Sequence, residues 1–185
     1  GQISDATATP NRHHGFLPLD NARLNELDSE GRAVVTDHGA FVLFNCYCPA
    51  LTVDEEDEPE RYEERKRFRV DFLNALSHRA TSLIEGGRNV IICGDLNSNQ
   101  YWEKYGGEDL NHKEVVDVLS QKNIYSSYHH FFNEKQGEET QPTYYHYHKK
   151  EKPFHIDFCF LSNGLIQKLK NVEIGKHKDW MKLSD

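Results

Sequence analysis

The chain has 185 residues and a formal net charge of −8, with 37% hydrophobic, 11% aromatic and 28% charged residues. This length favours one domain over two independent cores, and the apolar and aromatic content excludes a disordered chain. The acidic balance excludes binding of nucleic acid by bulk attraction, so a phosphate-bearing partner has to be held by a local site. No apolar run approaches the roughly 20 residues of a membrane helix and no signal segment opens the chain. We therefore expect an intracellular protein with no membrane partner.

Secondary-structure signals begin after the first twenty residues, which lack hydrophobic periodicity. We therefore expect a loop or tail over 1–20 and one folded domain over 21–185. Two apolar, β-branched runs over 33–36 and 41–47 flank a Gly-containing turn. This pattern predicts a β-hairpin near the start of the domain.

The rest of the chain alternates between helical and strand-like patterns. Apolar residues recur at helical spacing over about 60–85 and 112–122, which predicts two helices. The continuous apolar run 89–93 predicts a strand buried on both faces. Residues 154–161 predict the last clear strand, and 172–174 predict a further one. This order of elements is typical of a mixed α and β domain.

The four cysteines, Cys46, Cys48, Cys93 and Cys159, lie in apolar, strand-like segments and have no C-x-x-C spacing. Buried free thiols are therefore favoured over a disulfide or a zinc site.

The first candidate site follows the buried strand, where the chain reads Gly94-Asp95-Leu96-Asn97. In an extended chain the side chains of Asp95 and Asn97 leave on one face. A carboxylate can hold or deprotonate a water, and an amide can hydrogen-bond the same water or a phosphate oxygen. A simple turn explains these residue types equally well, since Gly-Asp and Asn-Ser are ordinary turn formers.

Two other strand-like segments carry polar side chains with the spacing of one face. Asn45 and Tyr47 share a face just before Pro49. A phenol there can donate to a phosphate, although a half-buried packing aromatic is the more common role of an isolated Tyr. Strict alternation over 154–158 predicts that His155 and Asp157 lie together on one face.

Aspartate is disfavoured in the middle of a strand, so Asp157 is expected to orient a histidine or a cation. A salt bridge with Lys149 or Lys150 is the structural alternative. His146 and His148 also share a predicted strand face, but surface or groove positions are favoured over a transition-metal site for them.

Four short motifs occur in a fixed order along the chain: Tyr47-x-Pro49, Gly94-Asp95-x-Asn97, His155-Ile156-Asp157 and Ser184-Asp185. Together they resemble the endonuclease/exonuclease/phosphatase superfamily, which includes the exonuclease III-type AP endonucleases. The first half is similar to eukaryotic AP endonuclease 2 and the second half to bacterial superfamily members, as in a recombined chain, designed chain or fragment. The resemblance implies an α+β fold, a four-layer α/β/β/α sandwich of two packed sheets with outer helices.

The resemblance also implies roles for the motif residues. Asp95 would orient or deprotonate the attacking water, Asn97 would hydrogen-bond this water or the phosphate, and Tyr47 would contact a phosphate oxygen. Asp157 would orient a catalytic histidine. Asp185 would ligate Mg²⁺, or alternatively Mn²⁺, with Asp95 and Asn97 as further ligands. Asn45 and His155 are the candidate substrate-binding residues.

The function implied is a Mg²⁺-dependent phosphodiesterase that hydrolyses DNA at abasic or 3′-blocked sites. The location implied is the nucleus if the resemblance to AP endonuclease 2 holds, and otherwise the cytoplasm. A phosphatase or a small-molecule or lipid phosphodiesterase of the same superfamily is the first alternative. The second is a catalytically incomplete fold fragment, because we expect the domain to lack the family's opening strands, its metal-binding Glu and its final His.

Overall fold

A computed structural model describes residues 31–50, 59–100 and 112–180. The predicted tail and Asp185 lie outside the described residues. The strands, in chain order, are β1 (Ala33–Asp37), β2 (Val42–Tyr47), β3 (Val90–Asp95), β4 (Ile124–Ser126), β5 (Tyr144–Tyr145), β6 (Pro153–Phe154) and β7 (Asp157–Ser162). The helices are α1 (Pro59–Glu85), α2 (His112–Gln121), α3 (Ser127–Phe132), α4 (Asn163–Ile166) and α5 (His177–Trp180), with a 3₁₀ turn at His146–His148. Over these ranges no helix has the length and apolarity needed to span a bilayer.

Five strands form the main sheet in the order β1-β2-β3-β7-β4, and β5 pairs with β6 in a small second sheet. The hairpin predicted from the sequence is confirmed, since β1 and β2 are adjacent and antiparallel. Strand β3 is parallel to β2 and antiparallel to β7. Parallel neighbours need a long crossover connection, and α1 lies in that connection. The α+β fold class is confirmed.

The core lies between one face of the main sheet and the two long helices. Alternate strand residues such as Phe44, Ile92 and Phe160 are buried and cluster with Phe72 of α1 and Leu119 of α2. Both predicted long helices are confirmed, because their apolar residues recur with the helical period and cover this face.

The strand predicted over 154–161 is interrupted. Thr143 Oγ1 accepts hydrogen bonds from the backbone N–H groups of Ile156 and Asp157, at 3.1 and 3.0 Å. The chain leaves the short sheet after Phe154 and enters the main sheet only at Asp157. As a result His155 is buried and Asp157 is exposed, so the prediction that they share a face is wrong.

Two further differences concern short segments. The strand predicted over 172–174 is absent, since 171–176 has no regular secondary structure. Helix α3 was not predicted because six residues are too few for helical periodicity to emerge.

Strands β2 and β3 approach each other closely at Gly94. Its φ is +130°, and a Cβ atom added there would lie 1.9 Å from the backbone oxygen of Cys46. Only glycine fits this position, which lies one residue before Asp95.

We expect Gly94→Ala to lower the free energy of unfolding by about 4 kcal/mol or more, because backbone atoms would have to move. Gly39→Ala is the matched control: its φ is +73° with nothing within 4 Å of the added Cβ. Its cost should be about 1 kcal/mol. Urea unfolding followed by circular dichroism measures both, and equal losses would contradict the close approach.

Candidate active site

Three of the predicted site residues lie side by side at one end of the main sheet. Tyr47 of β2 is the register partner of Asp95 of β3, and Asp95 is the register partner of Asp157 of β7. Residues directly opposite each other point to the same face of a sheet. The fold therefore brings a phenol and two carboxylates, distant along the chain, into one row, the Tyr47–Asp95–Asp157 row.

Asp95 and Asp157 form the closer type of cross-strand pair. The N–H of Leu96 donates to the carbonyl of Ile156 at 2.9 Å, so Leu96 and Ile156 form a hydrogen-bonded pair. Because the ladder alternates, the preceding pair, Asp95 and Asp157, is non-hydrogen-bonded. Cα atoms in such pairs are typically about 4.5 Å apart. The two carboxylates therefore face each other across neighbouring strands.

The environment of Asp95 favours its protonated form. Burial, together with the negative charge of Asp157, raises the pKa of Asp95 to about 6. A hydrogen bond from the Asn97 backbone and the positive charge of Arg69 act in the opposite direction. A carboxyl group with this pKa can both hold and release a proton near neutral pH.

Asn97 is held beside Asp95 by a tight turn. Its φ is +47°, its N–H donates to Asp95 Oδ1 at 2.6 Å, and its Nδ2 donates to the Cys48 carbonyl at 2.9 Å. The turn that the sequence left open as an alternative to a functional site is present, and it places the backbone N–H of Asn97 next to the Asp95 carboxylate.

Tyr47 forms one end of the row, with 53% of its surface exposed. The Arg32 guanidinium lies 5.4 Å from the centre of its ring. A groove of about 370 Å³ beside Tyr47 is also lined by Arg65 and Glu64. Asn45, exposed on the same strand, lies two residues farther from the rim of the sheet.

His155 is not part of the row. It is 4% exposed and its ring packs 4.5 Å from Tyr128 and 5.0 Å from Phe158. Its Nδ1 donates to the carbonyl of Gln141 at 2.7 Å, and burial lowers its pKa. Asp185 lies outside the described residues, so its metal-binding role stays a prediction.

Arg69 is a site residue that the sequence reasoning missed. It is 2% exposed in α1, and its Nη1 donates to the Pro49 carbonyl at 2.6 Å. Its charge lowers the pKa of Asp95. The available signal was an arginine three residues before Phe72, on the apolar stripe of the helix.

A buried polar network behind the row was also missed. Asn99 Nδ2 donates to Glu139 Oε2 at 3.2 Å and to the His155 carbonyl at 2.7 Å. His129 pairs with Glu139 at 3.0 Å. The network connects the loop after β3 to the segment that leads into Asp157, so it fixes the two chain segments that carry the carboxylates. No local pattern in the sequence predicts contacts between such distant polar residues.

His112 extends this network and is fully buried. Its Nδ1 accepts from Ser98 Oγ at 3.1 Å, and its Nε2 donates to Gln136 Oε1 at 2.8 Å. Burial lowers the pKa of His112 to about 4. Burial opposes ionisation of Glu139, but hydrogen bonds from His129 and the Gly137 backbone prevail and lower its pKa to about 2.

Protonation of His112 should weaken the fold in acid. Between pH 6.5 and 4 the unfolded chain protonates His112 while the folded chain keeps it neutral, so this group lowers stability by about 3 kcal/mol as the pH decreases. Asp95 acts in the opposite direction, because its raised pKa makes the folded chain take up a proton near pH 6 before the unfolded chain does. Glu139 adds a further loss as the pH falls from 4.5 towards 2. Urea midpoints measured from pH 7.5 to 4.5 for the unaltered chain and for a His112 variant give the His112 contribution as their difference.

Between pH 6.5 and 4.5 His112→Phe should lose less stability than the unaltered chain, since the ring keeps its packing on Phe158 but no longer titrates. His130→Gln, at an exposed position, is the control and should leave the slope unchanged. An unaltered slope in the His112 variant would show that another group takes up the proton.

No group of three or more His, Cys, Asp or Glu side chains able to hold a metal ion occurs in 31–50, 59–100 and 112–180. No family model matches the chain.

Among curated proteins, DNA-(apurinic or apyrimidinic site) endonuclease 2 of Schizosaccharomyces pombe is 37% identical over 86 residues, which cover 45% of this chain and 15% of that protein. The matched part is thus about a seventh of the relative's length.

Two solved structures share the fold. The Xenopus laevis APE2 catalytic domain matches with a TM-score of 0.54 and 26% identity, over 78% of this chain and 50% of that one. The 3′-5′ exonuclease NExo of Neisseria meningitidis matches with a TM-score of 0.60 and 15% identity, over 76% of this chain and 56% of that one. In sequence and in fold the chain is similar to endonuclease/exonuclease/phosphatase proteins of the AP endonuclease type, and the predicted resemblance is confirmed.

Proposed function

We propose that this chain forms the phosphate-ester hydrolysing centre of an enzyme that acts on DNA. The observation that carries the proposal is the in-register row of Tyr47, Asp95 and Asp157 at one end of the sheet. The similar curated protein is named for cleavage of DNA at apurinic or apyrimidinic sites. NExo, called a 3′ phosphatase in a second structure, is bound there to a product DNA hairpin.

In the proposed reaction Asp95 accepts the proton of the attacking water. Burial, together with the charge of Asp157 opposite it, raises its pKa and makes it a better proton acceptor than an ordinary carboxylate. Asn97, held in the adjacent turn, hydrogen-bonds the water or a phosphate oxygen. The exposed hydroxyl of Tyr47 donates to a phosphate oxygen.

A net charge of −8 requires a local attraction for the DNA backbone. Among the described residues, the charged side chains that line the groove beside Tyr47 are those of Arg32, Arg65 and Glu64. Arginine forks bind phosphate oxygens in pairs, so this groove supports a path for the backbone that ends at the row.

The donor chemistry of the site fits a hard divalent cation. Burial and the negative charge of Asp157 both disfavour the ionised form of Asp95, and a cation beside Asp95 would stabilise that form. We propose that Asp95 and Asn97, together with Asp185, hold Mg²⁺, with Mn²⁺ as a substitute. When bound, the ion would supply charge stabilisation to the phosphate.

The proposed substrate is DNA with abasic or 3′-blocked sites, and the proposed location is intracellular, in the nucleus if the likeness to AP endonuclease 2 governs. A phosphatase or a small-molecule or lipid phosphodiesterase is the second candidate, favoured by the acidic net charge. A fold fragment without activity is the third.

The three candidates are separated by incubating the protein with an abasic duplex, a 3′-phosphate duplex and a chromogenic phosphodiester, each with Mg²⁺ and with EDTA. We expect EDTA-sensitive cleavage of the two duplexes. Cleavage of the chromogenic ester alone would contradict the DNA assignment. Cleavage of none by a protein that circular dichroism shows to be folded would favour the fragment.

Asp95→Asn should reduce hydrolysis by about 10²- to 10⁴-fold, because the proton acceptor is lost, while the melting temperature hardly changes. Tyr47→Phe should cost about 10- to 100-fold through one lost hydrogen bond to a charged oxygen. Asp117→Asn, at a solvent-accessible ion pair on α2, is the control and should retain full activity. Steady-state kinetics and thermal melts check all three variants, and an active Asp95→Asn enzyme would exclude the mechanism.

A further inference from the structure

Two cysteines face each other on the side of the main sheet that points away from the core. Cys93 of β3 is the register partner of Cys159 of β7. Their chain neighbours Ile92 and Phe160 are buried in the core, whereas both cysteines are only partly buried. Neither forms a disulfide in the structure.

The backbone at this pair meets the geometric requirement of a disulfide. Leu96 and Ile156 form a hydrogen-bonded pair, and three residues farther into the ladder Cys93 and Cys159 form a non-hydrogen-bonded one. The Cα atoms of such a pair lie about 4.5 Å apart, and disulfides span about 4.4–6.8 Å. Opposite Cβ atoms at about 4.5–5.5 Å need only a slight approach to reach the disulfide range of about 3.5–4.5 Å.

The other two cysteines provide a contrast within the same sheet. Cys46 and Cys48 are 4% and 0% exposed and lie two residues apart on one extended segment. Cβ atoms at this spacing are about 6.6 Å apart along a strand, well beyond the Cβ separation of about 3.5–4.5 Å that a disulfide needs. Cys46 and Cys48 are therefore close in sequence but too far apart to form a disulfide. Cys93 and Cys159 are distant in sequence, but the register of the β-sheet places them opposite each other.

We propose that Cys93 and Cys159 are a site of oxidative modification and form an intramolecular cross-strand disulfide when the protein meets a disulfide oxidant such as glutathione disulfide. This inference goes beyond the proposed hydrolase activity and does not depend on it. A thiol reductant should reverse this bond by the same exchange chemistry.

The reaction is a pair of thiol–disulfide exchanges. Burial raises the pKa of both thiols, so the exchange is run at alkaline pH, where one thiol loses its proton. The resulting thiolate attacks a sulfur of glutathione disulfide, which forms a mixed disulfide and releases one glutathione. The second protein thiolate attacks the protein sulfur of the mixed disulfide, which forms the Cys93–Cys159 bond and releases the second glutathione. The two electrons and two protons lost by the protein appear in the two glutathione thiols.

The experiment incubates the folded chain with glutathione disulfide, blocks remaining thiols with N-ethylmaleimide, digests without reduction and analyses the peptides by mass spectrometry. We expect a peptide pair joined through Cys93 and Cys159 and an intact mass lower by two hydrogen atoms, both reversed by dithiothreitol. Cys93→Ser and Cys159→Ser should each keep glutathione on the remaining cysteine, because the second thiol is missing. Cys46→Ala, the control, should still form the cross-link.

Separate glutathione adducts on both cysteines of the unaltered chain would overturn the proposal, as would a dimer linked through either cysteine. The same holds if neither thiol reacts in a chain that circular dichroism shows to be folded. Because the readout is mass, a chain without hydrolytic activity would still give the cross-link, so failure of the proposed function is distinguishable from failure of this inference.

Discussion

The candidate site depends on the close approach of β2 and β3 at Gly94. Because this residue has no Cβ, the Cys46 carbonyl can lie directly beside it, and the two parallel strands stay in register up to Tyr47 and Asp95. The antiparallel β7 then adds Asp157 to the same row. A single backbone contact thus aligns three side chains that come from three separate parts of the sequence.

Electrostatics at this row disfavours the charged form of Asp95. Two carboxylates face each other, and the pKa of Asp95 is raised by burial and by its neighbour's charge even though Arg69 lies close enough to lower it. Arg69 also donates to the Pro49 carbonyl, so one buried cation fixes the end of β2 and moderates the charge of the site. Groups arranged in this way are typical of sites that bind cations or move protons.

The polar network behind the row gives the site its rigidity. Asn99 joins Glu139 to the backbone of His155, and His129 pairs with the same carboxylate. These contacts are satisfied by protein groups that are largely excluded from water, which makes each of them stronger than at the surface. His155, which lies between β6 and β7, is therefore held by hydrogen bonds to its carbonyl and its ring.

The sequence by itself determined the two long helices, the first hairpin and the neighbourhood of Asp95 and Asn97, because hydrophobic periodicity and turn chemistry are local properties. Only the tertiary structure decided that Tyr47, Asp95 and Asp157 share a row and that Cys93 faces Cys159, since register arises from contacts between distant strands. It also separated His155 from Asp157, because two hydrogen bonds to Thr143 break the alternation that a continuous strand would have imposed.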